Sequence, residues 1–368
     1  MRLVATQYIE AGTKLHKAIF NEKGQILVNK GIPLTKRMIE RLEELGITYV
    51  YIEDERTNDV ELKSPISDEV RREAVQSIEH TFRELNQKNM MTNSIVLEQS
   101  SKKFNDIIRN IILELKDNKD LLSLLTDVVV HDHYIFTHSL NVTLYSLAIG
   151  IEMKLPEKQL EVIGLGAILH DVGKMMVSLD VLLKPERLTA DEFNEVKKHT
   201  TYGYDLLRKL STIPLMAAHC AFQHHERLDG SGYPRGIKSD EIHIFGKIIA
   251  VADVFDAVTS NRVYRKAMLP NEGLEILYAG AGHHFDSKII EAFRNSVAIY
   301  PIGITVTLNN GLSGVVVKQN SGYCDRPFIR ILENDGVELQ EPYEVNLKDR
   351  LDLVIVECIL ADKKSNSA

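Results

Sequence analysis

Over the first 60 residues the apolar positions switch from a helical to an extended period. In TKRMIERLEEL, Met38, Ile39, Leu42 and Leu45 share one helical face, with Thr35 placed as N-cap and Gly46 as C-cap. The β-branched and aromatic run ITYVYI at 47–52 predicts a strand. Residues 1–60 therefore read as a small α+β N-terminal domain, with regulation or dimerisation as its candidate roles. The charged run EDERTNDVELKSP at 53–65 predicts a linker.

Two amphipathic helices are expected next, making 61–120 a stretch of linker helices. Ser67, Asp68 and Glu69 start the first, with Val70, Ala74, Ile78, Phe82 and Leu85 on one side. Leu97, Phe104, Ile108, Ile111 and Leu115 form the stripe of the second. Such stripes suit packing on the chain's own domain or a short coiled coil in a homodimer. From 121 to 300 the pattern is nearly all helical, with Pro156 at a helix start and loops at 178–190 and 227–243. After Pro301 the period falls to two. ITVTLNNGLSGVVV (304–317) alternates around Asn310-Gly311, a hairpin signal, and FIRIL (328–332) and LDLVIVECI (351–359) read as further strands. A small β-rich C-terminal domain over 301–360 follows from this, then a tail at 361–368 expected to be disordered. The fold class is multidomain α+β: an all-α catalytic domain flanked by two small domains.

Composition narrows the chemistry. With 368 residues, 44% of them hydrophobic, there is chain enough for two or three domains. No stretch reaches the roughly 18–20 apolar residues of a membrane helix, so no membrane insertion is expected. The opening MRLVATQYIEAG lacks the basic and apolar regions of a signal peptide. Cys220, Cys324 and Cys358 form no CxxC pair. The expected location is cytoplasmic. A net charge of −8 argues against a nucleic-acid polymer as partner, and an anionic substrate would need a local positive site.

That site is foreshadowed by histidine: eleven of the thirteen lie between His131 and His284. The potential metal ligands are His138, His170 and Asp171 in LHDVGK, His199, His224 and His225 in HHERLDGSGYPRG, and Asp253 in VADVFDAVTSNRVYR. A single histidine on a helix is more often a packed core residue than a ligand; the ordered combination carries the weight. Five histidines and two carboxylates exceed one mononuclear site and suit two ions sharing a carboxylate. Mixed imidazole and carboxylate donors favour iron, manganese, zinc or cobalt over magnesium. Successive helical residues point about 100° apart, so His170 and Asp171 can address neighbouring points.

LHDVGK and HHERLDGSGYPRG resemble the signature of the HD-GYP family, a branch of the HD phosphohydrolase superfamily, over roughly 121–300. The resemblance implies an HD-type helical domain that hydrolyses cyclic di-GMP to linear pGpG or GMP in bacterial second-messenger signalling. It implies two divalent transition-metal ions, iron or manganese foremost. The first would be held by His138, His170, Asp171 and Asp253, and the second by His199, His224 and His225, with Asp171 bridging both. It also places Lys174 beside the ions, Gly232, Tyr233 and Pro234 in a loop at the pocket, and Arg262 and Arg265 on substrate phosphate. Some members carry a glutamate one turn before the first histidine ligand and hold a third ion. Here Tyr134 stands at that position, so two ions are expected.

The residues themselves suggest further roles. Lys174, a turn beyond His170, is placed to neutralise the departing 3′-oxygen. Asp229, Gly230 and Gly232 make DGSGYP a tight turn. Such a turn would let a guanine approach closely, with Tyr233 stacking on it or hydrogen-bonding to it. Asp256, three residues past Asp253, would support a ligand from behind. His131, His133, His219, His243, His283 and His284 are read as non-ligands. Two other functions fit the same motifs: a nucleotide receptor or adaptor without turnover, docking a diguanylate cyclase (GGDEF) domain through the GYP loop, and a phosphodiesterase acting on cyclic GMP-AMP. The complete ligand set favours an enzyme.

Overall fold

The computed structural model of the chain describes residues 1–20, 26–61, 64–85, 90–117, 134–182, 184, 186–260 and 267–360. The N-terminal unit runs β1 (Arg2–Ala5), β2 (Ile19–Phe20), β3 (Ile26–Val28), α1 (Lys36–Glu44) and β4 (Tyr49–Ile52). Thr35 caps α1, its hydroxyl accepting from the Met38 amide at 3.3 Å. β1 pairs antiparallel with β4, Leu3 opposite Tyr51. Leu15, Leu34, Leu42, Ile47 and Val50 fill the small core between sheet and helix.

The charged run after β4 is a structural strap, which corrects the linker reading. Thr57 is fully buried in a 3-10 turn at Glu55–Thr57, and Val60 sits in the apolar core of the C-terminal sheet. Arg330 of that sheet donates two hydrogen bonds to the Asp59 carboxylate, at 2.6 and 2.7 Å. Charge patterning misled here because the polar residues make specific pairs across the junction.

α2 (Asp68–Glu84), capped by Ser67, and α3 (Met90–Asp117) are likewise not a linker. Ile78, Phe82, Leu97, Phe104, Ile108 and Ile111 share one core with the helices that follow. A Cβ on Gly164 would lie 2.7 Å from Ile108 Cγ2, which shows how closely α3 is pressed onto the next helical layer. The apolar stripes are thus covered by the chain's own helices.

That layer comprises α4 (Tyr134–Glu152), α5 (Glu157–Leu169), α6 (Leu179–Leu182), α7 (Ala190–Lys197), α8 (His199–Leu207), α9 (Leu215–Gln223), α10 (Ile244–Thr259), α11 (Pro270–Ala279) and α12 (Ser287–Ser296). α5 starts at Pro156 as expected. α10 buries eleven of its sixteen residues, so it is a core helix with no wide polar face. No helix among the described residues is long and apolar enough to cross a membrane.

The C-terminal sheet has five antiparallel strands: β5 (Thr305–Leu308), β6 (Leu312–Lys318), β7 (Phe328–Asn334), β8 (Val337–Asn346) and β9 (Ile355–Ile359), in the order β8-β7-β6-β5-β9. Thr307 faces Ser313, leaving the three-residue loop 309–311 with Gly311 at φ +83°. LDLVIVECI becomes strand only from Ile355, because Asn309 holds the preceding turn through the Val354 amide at 3.1 Å. β8 is absent from the sequence reading. Its segment VELQEPYEVN is polar and contains Pro342, which a strand tolerates at a sheet edge, and β8 is an edge strand.

The two small flanking units share a core. Met1, Leu3 and Tyr51 pack with Ile304, Val306, Val316, Ile329 and Ile331. The Leu3 amide donates to Gly303 O at 2.8 Å, and the Tyr51 hydroxyl to Ile302 O at 2.9 Å. The expected tail at 361–368 lies outside the described residues.

Candidate metal centre

Five helices deliver the seven proposed ligands to one buried point. His138 comes from α4, Asp253 from α10, and His170 and Asp171 from the end of α5. His199 opens α8, while His224 and His225 follow α9. His138, His170, Asp171, His199 and His224 are each at most 1% exposed.

Two donor groups result. His138, His170 and Asp171 form one cluster, and His199, His224 and His225 the other. Asp171 stands between them. Its Oδ2 lies 3.5 Å from His138 Nε2 and 3.3 Å from His170 Nε2. Its Oδ1 lies 3.4 Å from His199 Nε2 and 3.8 Å from His224 Nε2. Asp253 joins the first cluster through Oδ1, 3.1 Å from His138 Nε2, and turns Oδ2 toward His225 Nδ1 at 3.8 Å.

The outer nitrogens of four imidazoles are committed to acceptors. His138 Nδ1 meets Asp256 Oδ2 at 2.7 Å, and His170 Nδ1 meets Ala167 O at 2.7 Å. His199 Nδ1 meets Val196 O at 2.6 Å, and His224 Nδ1 meets Cys220 O at 3.1 Å. An acceptor at Nδ1 keeps the proton there and leaves the Nε2 lone pair aimed inward, as a metal ligand requires. Asp256 is itself held by Asn141 Nδ2 at 2.9 Å and Ser260 Oγ at 3.2 Å.

Electrostatics agree with a cation site. Burial would raise the Asp171 carboxyl, but the Lys174 charge and the His170 and His138 imidazoles hold it well below the usual range. Burial opposes ionisation of Asp253 too, and His138 and His225 outweigh it. Burial lowers His199 to about 4, and lowers His224 and His225 as well, with neighbouring imidazoles adding to the shift. At neutral pH this leaves Asp171 and Asp253 ionised and His199, His224 and His225 neutral, the protonation states that bind metal. His170 Nε2 and Asp171 Oδ1 are buried and make no hydrogen bond, which fits atoms reserved for an ion.

The GYP loop is folded against this centre. Tyr233 stacks on His225 with centroids 4.7 Å apart, and its amide donates to His225 O at 3.1 Å. Burial, then Asp253 and Asp171, raise the Tyr233 hydroxyl far above its ordinary value, so it stays protonated. One ring face of Tyr233 is therefore spent on His225. A Cβ on Gly232 would sit 2.4 Å from both His225 O and Arg227 N, so only glycine allows the loop to close on the ligand segment. Pro234 continues the turn into Arg235, whose amide donates to Glu226 Oε1 at 2.9 Å. The Ile237 amide donates to Glu226 Oε2 at 3.1 Å. Glu226 is 2% exposed, and the sequence reading missed it; its place directly after the two histidines was the available signal.

The other named residues fall as follows. Asp229 shapes its own turn, its carboxylate accepting from the Ser231 amide at 2.9 Å and lying 3.6 Å from His284 Nε2. Lys174 lies beside Asp171, in the 3-10 turn Val172–Met176. His219 packs on Tyr204, and His243 caps α10. Arg262 and Arg265, like His131 and His133, lie outside the described residues.

Two stretches of the chain match known families. Residues 114–289 match the HD domain family, and 305–366 match a KOW domain associated with HD domains. A cyclic di-GMP phosphodiesterase of Pseudomonas aeruginosa is 32% identical over 65% of this chain and 58% of its own length. One from Thermotoga maritima is 36% identical over 58% of this chain and 57% of its own. A 3'3'-cGAMP-specific phosphodiesterase of Vibrio cholerae is 35% identical over 46% of this chain and 36% of its own. The chain thus spans somewhat under three fifths of the first two relatives and little more than a third of the last. HD-domain phosphohydrolases are metal-dependent, and this chain carries clusters able to hold metal. Residues 114–289 of this chain thus carry an HD domain, and the chain is similar to cyclic di-GMP phosphodiesterases that it matches at 32–36% identity.

Proposed function

We propose that the chain is a phosphodiesterase that hydrolyses cyclic di-GMP to pGpG or GMP at a centre of two transition-metal ions, iron or manganese. The observation that carries this reading is the position of Asp171, with one carboxylate oxygen toward each histidine cluster. Bound ions would lower the pKa of a water and offset charge on the phosphate oxygens.

The chain's own residues supply the rest. His138, His170, Asp171 and Asp253 form the first site, and His199, His224 and His225 the second, with Asp171 common to both. Asp256 and the carbonyls of Ala167, Val196 and Cys220 orient the imidazoles. Tyr233 holds the His225 ring in place through the stack, and Gly232 and Pro234 shape the loop that carries it. Lys174 holds its ammonium beside the bridging carboxylate, where it can neutralise or protonate the departing 3′-oxygen. Asp229 keeps the DGSGYP turn closed, and Arg262 and Arg265 are assigned to substrate phosphate on the resemblance alone. Cys220, Cys324 and Cys358 are free thiols, in keeping with a cytoplasmic setting.

A second substrate, cyclic GMP-AMP, is favoured by the similarity to the cGAMP-specific enzyme. Incubating the metal-loaded chain with each cyclic dinucleotide and separating the products by chromatography tests the proposal. Cyclic di-GMP should yield pGpG or GMP. Binding without any product would make the chain a receptor.

A further inference from the structure

The rim of the centre carries a pair of side chains with no role so far. Phe193, on α7, is 48% exposed despite its large apolar ring. It stands edge-on to Tyr233, centroids 6.4 Å apart, and Tyr233 in turn lies against His225. Lys197, one helical turn further, places its ammonium 5.1 Å from the Phe193 centroid and 5.9 Å from that of Tyr233. Nearby lysines are neutralised: Lys184 by Glu192 at 2.7 Å and Lys198 by Glu195 at 2.6 Å. Lys197 makes no ion pair among the described residues.

The helix that carries this pair is anchored at both ends. A capping box between Thr189 and Glu192 fixes the start of α7. At its other end, Val196 O accepts from His199 Nδ1 at 2.6 Å. The backbone that carries Phe193 and Lys197 is thereby tied to His199 of the second cluster.

We propose that Phe193 and Lys197 form a base subsite, in which one purine of the cyclic dinucleotide stacks on Phe193 and Lys197 donates to its edge. The inference rests on the phosphodiesterase reading and adds a source of base selection to it. An exposed ring accepts any base face, and such stacking is worth about 1–3 kcal/mol. The lysine discriminates. Guanine presents two acceptors, N7 and O6, on that edge, whereas adenine replaces O6 with the N6 donor. The subsite therefore prefers guanine.

Calorimetric binding of cyclic di-GMP and cyclic di-AMP to the metal-loaded full chain tests this, with bound metal measured in each variant. Phe193→Ala should weaken both nucleotides roughly tenfold, within the stacking range, and Phe193→Trp should restore them. Lys197→Ala should weaken cyclic di-GMP several-fold and cyclic di-AMP, which offers only the N7 acceptor, by less, so the preference narrows. Both variants should keep the wild-type metal content. A wild type that cleaves cyclic di-GMP, with both variants binding it unchanged, overturns the subsite alone. Loss of metal in the variants also overturns it, since the pair would then be supporting His199. A wild type that neither binds nor cleaves any cyclic dinucleotide overturns the proposed function and the subsite together.

Discussion

Lys174 Nζ meets Asp171 Oδ2 at 2.5 Å, while the other oxygen of that carboxylate faces His199 and His224. The lysine thus sits at the carboxylate whose two oxygens divide between the clusters, yet it contributes no donor to either.

Replacing Lys174 separates chemistry from binding. Lys174→Ala leaves all seven proposed ligands in place, so metal content and most nucleotide affinity should persist. If the ammonium acts on the departing oxygen, turnover should fall by roughly two to four orders of magnitude. Calorimetry and product chromatography on one metal-loaded variant read both quantities. Weakened affinity at an unchanged maximal rate would make Lys174 a ground-state phosphate anchor instead.

The buried imidazoles make the metal-free fold acid-sensitive. Burial holds His199 at about 4 against an ordinary 6.5, so below 6.5 the unfolded chain takes up a proton that the folded chain refuses. Stability should therefore fall as pH drops through the window from 6.5 to 4. The full shift corresponds to about 3 kcal/mol, of which about 2 kcal/mol is lost by about pH 5. His224 and His225 shift in the same direction. The lowered Asp171 and Asp253 carboxyls matter only below the ordinary carboxylate range. Urea unfolding of chelator-treated protein at neutral and mildly acid pH measures this; a flat profile would show that His199 is not buried neutral.

Gly173 fixes the distance between the clusters. A Cβ there would lie 1.9 Å from His199 O and 2.5 Å from the Gly203 amide nitrogen, and neither backbone atom can yield. Gly173→Ala should push the Val172–Met176 turn away from α8, at a cost of about 1–3 kcal/mol or more, the range for overpacking. It should also reduce bound metal, because His199 would move away from Asp171. Urea unfolding and elemental analysis check both effects, and a variant with native stability and metal content would contradict the packing.

The candidate donor clusters were legible because two of the motifs keep adjacent residues together: His170 with Asp171, and His224 with His225. Their partners are a different matter. Ala167, Val196 and Cys220 act through backbone carbonyls, which leave no trace in residue identity. Glu226 looked like a charged neighbour until its two oxygens were found on the Arg235 and Ile237 amides. Phe193 and Lys197 fall in an ordinary amphipathic stretch, and only the fold brings them to Tyr233. At the scale of domains, helical periodicity in α2 and α3 was plain, but a stripe does not say which surface covers it. Ile108 against Gly164 answers that for α3. β8 was hidden by Pro342 and its glutamates, which an edge strand accepts.

The central claim is that Asp171 organises a two-ion centre, and metal stoichiometry tests it most directly. Elemental analysis after metal-replete expression should give two ions per chain for the wild type, within reach of one bridging carboxylate. Asp171→Ala should lose both while its helical circular dichroism is kept. Fewer than one ion in the wild type, or full occupancy in Asp171→Ala, would contradict the account.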